Sequence, residues 1–346
     1  MSTMRDVAAL AGVRAKTVSR VMNNDRYVSA DVRERVGKAI VELNYVPNAL
    51  ARTFRSGRDS AIGIAVPDIS DPFFSRTILA IEQAARRRGL GVFITALGGD
   101  PSNEATRVEA LLVRQIAGLI LAPTSDDQSY LKPWQDRTAL MFIDRAPGNL
   151  VADSVAEEDF GGALDATRHL LAHGHTRIAF VGDSVQVPTT ARRLDGYRAA
   201  LEEAGIVADA DLVRLGNSED RSEIGDVIPT LDRDGAPTAI FSSNARCSIA
   251  TLTQLHTLNR VDIAFISFGD FPMSSALVPA VTVVDQDPAA LGALAAKQLF
   301  ARVDNPQRRT RRRPVLPVTL VRRASCIGGV RVDSITVPTC TLDHSP

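Results

Sequence analysis

The chain has 346 residues, 45% of them hydrophobic, which points to a soluble, folded chain of more than one domain with a large buried core. Its formal net charge of zero hides an asymmetry: residues 1–58 carry 11 Lys/Arg against 5 Asp/Glu, a net of +6, and the remainder carries 29 against 35, a net of −6. Charge gathered at one end is the electrostatic footprint of a phosphate-binding segment, and the three cysteines, Cys247, Cys326 and Cys340, lack the spacing of a disulfide framework or a zinc site.

Residues 4–45 read as three short helices, Met4–Ala11, Ala15–Asn23 and Ala30–Asn44, each with apolar residues at helical spacing. Thr3 with Asp6 forms a capping signature for the first, Gly12 supplies the turn to the second, and Ser29 is placed to cap the third. Residues 46–58, from Val46-Pro47-Asn48 to Arg58, are too short and too polar to hold a helix alone and read as a hinge.

From Ala61 the pattern changes to apolar runs alternating with amphipathic stretches, the rhythm of βαβ units and parallel sheets. The expected strands are Ile62–Val66, Gly91–Ala96, Gly118–Ala122, Leu140–Asp144, Ile178–Gly182, Ala239–Ser242, Ile263–Phe268 and Val281–Val284. The helices between them include Phe74–Arg88, Glu104–Gln115, Phe160–His173, Ala191–Ala204 and Pro288–Ala301. This length accommodates one large sheet or two smaller ones; two lobes with a cleft are the better expectation, because ligands favour strand carboxyl ends and domain interfaces. The expected organisation is therefore 1–45 helical, 46–58 hinge, 59–330 two-lobed core and 331–346 tail.

The basic stretch Asn305–Arg313 reads as a solvated loop, and the residues from Val330 show no leucine heptad. Met1-Ser2-Thr3-Met4-Arg5-Asp6 is not a basic segment leading into an apolar one, and no run reaches spanning length, so a cytoplasmic location is expected.

Three blocks carry the functional reading: Asp6-Val7-Ala8-Ala9-Leu10-Ala11-Gly12-Val13, then Thr17-Val18-Ser19-Arg20-Val21-Met22-Asn23, then Leu43-Asn44-Tyr45-Val46-Pro47-Asn48. In order and spacing they resemble the helix-turn-helix headpiece of the lac repressor (LacI/GalR) family of transcription regulators. The resemblance implies that the second helix enters the major groove. It places Ala15, Lys16 and Arg20 at base-reading positions, where Lys and Arg donate to guanine and Ala offers apolar contact to a thymine methyl. Thr17, Ser19, Asn23, Ser29, Tyr45 and Asn48 match phosphate-contacting positions, with capping and solvation as their plain structural alternative. Arg14 stands where many relatives carry a capping Ser. In the hinge, Phe54 occupies the position of an apolar minor-groove wedge, its alternative being a packing contact with the core.

The resemblance extends to about Arg323 through Ile62-Gly63-Ile64-Ala65-Val66-Pro67-Asp68-Ile69-Ser70-Asp71-Pro72-Phe73-Phe74, Phe142-Ile143-Asp144-Arg145 and Gly174-His175-Thr176-Arg177-Ile178-Ala179. It implies a core like that of periplasmic sugar-binding proteins: parallel sheets flanked by helices, closing around a small polyhydroxylated effector. Arg193 and Asn244 match effector-binding positions, Phe73 and Phe74 an aromatic wall, and Asp144 ends a strand facing the cleft. Core packing for the phenylalanines and helix capping for Asp144 and Asn244 are the alternatives. Relatives usually carry Asp-Asp where this chain has Gly269-Asp270, and Ala245 stands where Asp is common. Either Asp270 takes over the carboxylate role or the ligand lacks the hydroxyl concerned.

The resemblance further implies a homodimer on a pseudo-palindromic operator, acting as a repressor, with no cofactor and no metal. No GxSxG, GxxxxGK[ST], HExxH or GxGxxG after the first strand supports an enzyme. His173-Gly174-His175 sits at a helix-to-strand turn and reads as a helix cap, and Gly182-Asp183-Ser184 has no neighbouring His base.

Overall fold

The computed structural model describes residues 2–22, 25–45, 61–216, 236–307 and 312–327. The hinge with Asn48 and Phe54, Asn23, and the tail 331–346 lie outside the described residues. Contacts divide the chain into two compact units, residues 1–59 and 60–346.

The first unit is a three-helix bundle: α1 (Met4–Leu10), α2 (Ala15–Met22) and α3 (Ala30–Glu42). Thr3 Oγ1 accepts from the Asp6 N–H and the Asp6 carboxylate accepts from the Thr3 N–H, so α1 starts with a reciprocal capping box. Gly12 turns the chain with φ +63°, a region open to glycine at little cost. Ser29 has cap-like backbone angles but makes no side-chain cap bond. α3 ends two residues earlier than its apolar spacing suggests, because Asn44 turns left-handed at φ 46°. Val7, Ala8, Ala11, Val18, Val36, Ala39 and Tyr45 close over one another as the core.

The second unit holds two six-stranded sheets. In chain order the first lobe contributes β1 (Ala61–Val66), β2 (Gly91–Ala96), β3 (Gly118–Leu121), β4 (Ala139–Asp144) and β5 (Asp153–Glu157). The second contributes β6 (Ile178–Gly182), β7 (Val213–Leu215), β8 (Ala239–Ser242), β9 (Ala264–Phe268) and β10 (Thr282–Asp285). The chain then adds β11 (Val315–Leu316) to the first sheet and β12 (Thr319–Val321) to the second, giving the orders β11-β5-β4-β3-β1-β2 and β12-β10-β9-β8-β6-β7. All pairings are parallel except β10 with β12. All eight apolar runs form strands within about a residue of their expected bounds.

Helices α4 (Pro72–Arg87), α5 (Glu104–Leu112), α6 (Asp159–Ala172), α7 (Pro188–Glu203), α8 (Ala245–Thr257) and α9 (Pro288–Asp304) cover both faces of these sheets. Burial on both faces explains why β1 and β6 are apolar throughout rather than alternating. Two contacts demand glycine: a Cβ on Gly196 of α7 would lie 2.4 Å from the Phe160 carbonyl oxygen of α6, and one on Gly292 of α9 would lie 2.5 Å from the Thr77 carbonyl of α4.

The chain passes between lobes three times: after β5, after β10, and between β11 and β12. α9 therefore returns to the first lobe, where Arg302 meets the buried Asp153 of β5, Nη2 to Oδ2 2.6 Å. Both strand sets point their carboxyl ends at the gap between the sheets.

Candidate functional site

On the first unit, α2 buries Val18 and packs Ala15, Val21 and Met22 partly against the core, while Lys16 and Arg20 stand exposed. Four residues apart, these two cations share one helix face. Arg20 Nε donates to Asp25 Oδ2 at 2.8 Å, an exposed pair worth little on its own. Thr17 and Ser19 are half-buried and Ser29 is exposed, whereas the Tyr45 ring is buried in the bundle. The half-buried Ala15 contributes to packing as well as to the edge of this face.

In the second unit a cleft of about 370 Å³ lies between the lobes. From the first lobe it is lined by residues that follow strands: Asp68 and Asp71 after β1, Gly98 after β2, Thr124 and Asp126 after β3, and Asp144 and Arg145 at the end of β4. The second lobe adds Asp183 after β6, Asn244 and Arg246 after β8, Gln286 after β10, and Thr190 and Arg193 from α7. Parallel strands end where their order reverses, with β1 between β2 and β3 and β6 between β7 and β8, and the loops part there to leave a crevice.

Arg193 is buried, with Nε and Nη2 2.8 and 2.7 Å from Asp159 Oδ1 and Nη1 donating to the Ser243 carbonyl at 2.6 Å. Its guanidinium lies over the Phe268 ring, 3.9 Å from the centroid. Asp144 sits at φ 67°, a left-handed conformation uncommon outside glycine, and accepts from Arg145 Nε at 2.8 Å. Asn244 caps α8, its Oδ1 accepting from the Cys247 N–H at 2.8 Å, and its amide also donates to Asp183 Oδ2 at 3.2 Å. Phe73 and Phe74 both line the cleft and belong to the apolar core, edge to face at 5.0 Å.

Asp270 is the exception among the expected cleft residues. It is not part of the lining: Arg323 Nη2 reaches its carboxylate at 3.0 Å, the Phe271 N–H at 2.9 Å, and the Ser274 hydroxyl donates to it as well. Burial pushes its pKa up, but these donors outweigh burial and hold it below the usual carboxylate range. It ties the β9–β10 connection to the segment after β12 and does not replace, in the cleft lining, the carboxylate that relatives carry one position earlier.

Burial dominates the electrostatics at the cleft floor. It raises Asp71 to about 6 against the opposing Phe73 N–H and Arg246, with Asp144 and Asp68 adding to the rise. Burial likewise lifts Glu157 well above its ordinary value, reinforced by Asp144, and lifts Asp159 against the pull of Arg193. Glu157 Oε2 accepts from the Gln286 amide at 2.8 Å, while Oε1 has no hydrogen-bond partner. One lobe-1 loop is held from behind: Glu104 of α5, fully buried, accepts from the Ser125 N–H, the Gln128 amide and the Tyr130 hydroxyl, fixing the segment that presents Thr124 and Asp126.

Sequence reasoning gave no cleft role to Asp68, Asp71, Asp126, Asp183, Arg246 or Gln286, although Asp68 and Asp71 lie in a block that carries the resemblance and Gly182-Asp183-Ser184 was weighed only as an enzyme motif. Most of them lie within a few residues of the carboxyl end of an apolar run, and that position is the signal that finds them. His173 closes α6 and His175 bonds Thr238 Oγ1 and the Cys326 carbonyl, so the His-Gly-His turn is structural.

Residues 3–48 match the profile of bacterial regulatory proteins of the lacI family, and residues 167–326 that of a periplasmic binding protein-like domain. The chain is 30% identical over 327 residues to the ribose operon repressor of Escherichia coli (strain K12), covering 93% of this chain and 99% of that protein. It is 30% identical over 309 residues to the HTH-type transcriptional repressor PurR of Pasteurella multocida (strain Pm70), covering 88% and 92%. Among solved structures, a lac repressor dimer bound to operator and the anti-inducer ONPF superposes with a TM-score of 0.81 at 26% identity, covering 94% of this chain and 99% of that one. A complex of the transcriptional regulator CelR with cellobiose gives 0.64 at 27% identity, covering 94% and 100%. With its headpiece blocks, its two-lobed core and full-length relatives that are repressors, this chain belongs to the lacI family of bacterial regulatory proteins.

Proposed function

We propose that this protein is a sequence-specific transcriptional repressor whose operator affinity is controlled by a small, uncharged, polyhydroxylated effector bound between the two lobes. The observation that carries it is the convergence of strand ends from both sheets on one polar cleft of about 370 Å³, a volume suited to a small ligand. Carboxylates and amides there accept and donate to hydroxyls, and Asp159 with the Ser243 carbonyl occupy only part of the five N–H donors of Arg193. Every guanidinium in the lining already faces a protein carboxylate: Arg145 with Asp144, Arg193 with Asp159, Arg246 with Asp68. Among the described residues a phosphorylated or acidic ligand finds no unneutralised guanidinium in the lining, whereas a neutral polyol does not need one. Similar proteins named for ribose and bound to cellobiose favour the same class.

On DNA, Lys16 and Arg20 read base edges and Ala15 adds apolar contact, with Thr17, Ser19 and Ser29 on phosphates. Asn23, Asn48 and Phe54 retain the roles that the family pattern gives them. Tyr45 is left with its hydroxyl alone for phosphate, since its ring belongs to the bundle core. A homodimer sets two reading helices on a pseudo-palindrome, and an effector that prefers one lobe angle shifts DNA affinity by its differential affinity, with DNA acting back reciprocally.

The test is site selection from a random DNA pool at fixed salt, with wild type and with Lys16→Ala/Arg20→Ala, followed by a panel of free and phosphorylated sugars added to the recovered complex. A palindrome lost in the double variant and shifted in affinity by a neutral sugar or polyol is the expected result. Weak, sequence-independent binding with steep salt dependence, or a response to phosphorylated sugars alone, refutes it.

A further inference from the structure

Arg246 stands in the first turn of α8 in the second lobe, and it reaches across the cleft to the first. Its Nη1 lies 2.9 Å from Asp68 Oδ2 and its Nε 3.8 Å from Asp71 Oδ2. The two acceptors are prepared in the same way. Asp68 Oδ1 takes the Ser70 N–H at 2.8 Å and the Ser70 hydroxyl at 2.7 Å, and Asp71 Oδ1 caps α4 by taking the Phe73 N–H at 2.8 Å. Each carboxylate thus has one oxygen fixed to its own lobe and the other turned to a cation on the opposite lobe. The arginine's base is fixed as well, because Asn244 caps α8 while bonding Asp183. Side-chain exposures of 25%, 29% and 12% place the group where water screens it only in part.

Pre-positioned partners on two lobes make a contact sensitive to lobe separation. A guanidinium fork loses both carboxylates together when the lobes part, and the sequence separation of 178 residues means that no local structure restores them.

We propose that Arg246, Asp68 and Asp71 form a latch that holds the cleft closed when no effector is bound, so that an effector acts on an already closed cleft and must accommodate or displace this guanidinium. Its regulatory meaning rests on the reading of the cleft as the effector site; the latch itself does not. It makes Arg246 a determinant of effector specificity as well, since the ligand shares the cleft with it.

The test is hydrogen exchange by mass spectrometry on the full chain without effector or DNA, comparing wild type, Arg246→Gln, Asp68→Asn and the double variant. Asp68→Asn keeps Oδ1 and with it the Ser70 bonds. Exchange in segments 67–74 and 243–250 should rise by roughly three- to tenfold in either single variant, and the double variant should exchange no faster than the singles. Wild-type exchange in Arg246→Gln, a double variant equal to the product of the singles, or a rise extending into β1 and β8, which signals unfolding rather than opening, each overturns it. Neither operator nor effector enters this measurement, so its failure is distinguishable from failure of the repressor reading.

Discussion

Replacing Arg193 by Ala offers a quantitative test of how this cleft is built. The Arg193 side chain is 5% exposed and that of its partner Asp159 is 4% exposed, so the substitution leaves a carboxylate in the interior without its cation and the Ser243 carbonyl without its donor. Breaking a buried pair from one side costs about 3–5 kcal/mol, and the contact with the Phe268 ring is lost within the same change. Against a total stability of about 5–15 kcal/mol this is a large fraction. Urea unfolding followed by circular dichroism should show the midpoint falling accordingly at neutral pH. Part of the loss should be recovered on acidification, because Asp159, already raised by burial against the pull of Arg193, rises further once that arginine is gone. Removing both charges, as Arg193→Met with Asp159→Leu, should regain most of the stability, since two apolar side chains do not need to be paired. An Arg193→Ala midpoint equal to that of the wild type would refute the reasoning. The practical consequence concerns binding assays: loss of effector response in an Arg193 variant reports a lost ligand contact only if Arg193→Lys, which keeps the charge without the planar fork, is folded and still impaired.

Two further predictions follow from the same packing. Asp71, raised to about 6, binds its proton more tightly folded than unfolded, so its burden on stability is full above pH 6 and disappears as pH falls toward the unfolded value near 4. The groups facing it are Arg246 on α8, Asp144 on β4 and Asp68 on its own loop, and the comparison of wild type with Asp71→Asn isolates its share: wild type should gain about 2 kcal/mol more than the variant between pH 7 and pH 4 in parallel urea titrations, and equal gains would contradict the assignment. Gly196→Ala places a Cβ 2.4 Å from the Phe160 carbonyl and should lower stability by about 1–3 kcal/mol despite alanine's better helix propensity, read as a drop in thermal midpoint; a rise would mean that α6 and α7 separate freely.

The parts of this fold legible in the sequence are those whose signal is local. Runs such as Ile62–Val66 and Ile178–Gly182 declare themselves because a strand covered on both faces is apolar at every position. The capping box of Thr3 and Asp6 and the turn at Gly12 are likewise complete within a few residues. Helix α8 went unseen because its composition is poor in helix formers; Thr251, Thr253 and Thr257 instead return their hydroxyls to carbonyls four residues back, and burial of Cys247, Leu252 and Leu255 holds the helix. Strand β5 was hidden for a related reason: its Asp153 and Glu157 are buried polar residues, tolerable only because Arg302 and Gln286, far along the chain, come to meet them.

The same division runs through the functional site. Short-range spacing carried the headpiece blocks, and with them the family resemblance and the two-lobed core it implies, while the βαβ rhythm alone left one sheet or two open. Tertiary structure decided that Asp270 turns to Arg323 rather than to the cleft, that Arg193 is paired with Asp159, and that Arg246 meets Asp68. A charged residue's chemistry depends on which opposite charge and how much water surround it, and that is settled only when distant strands end side by side.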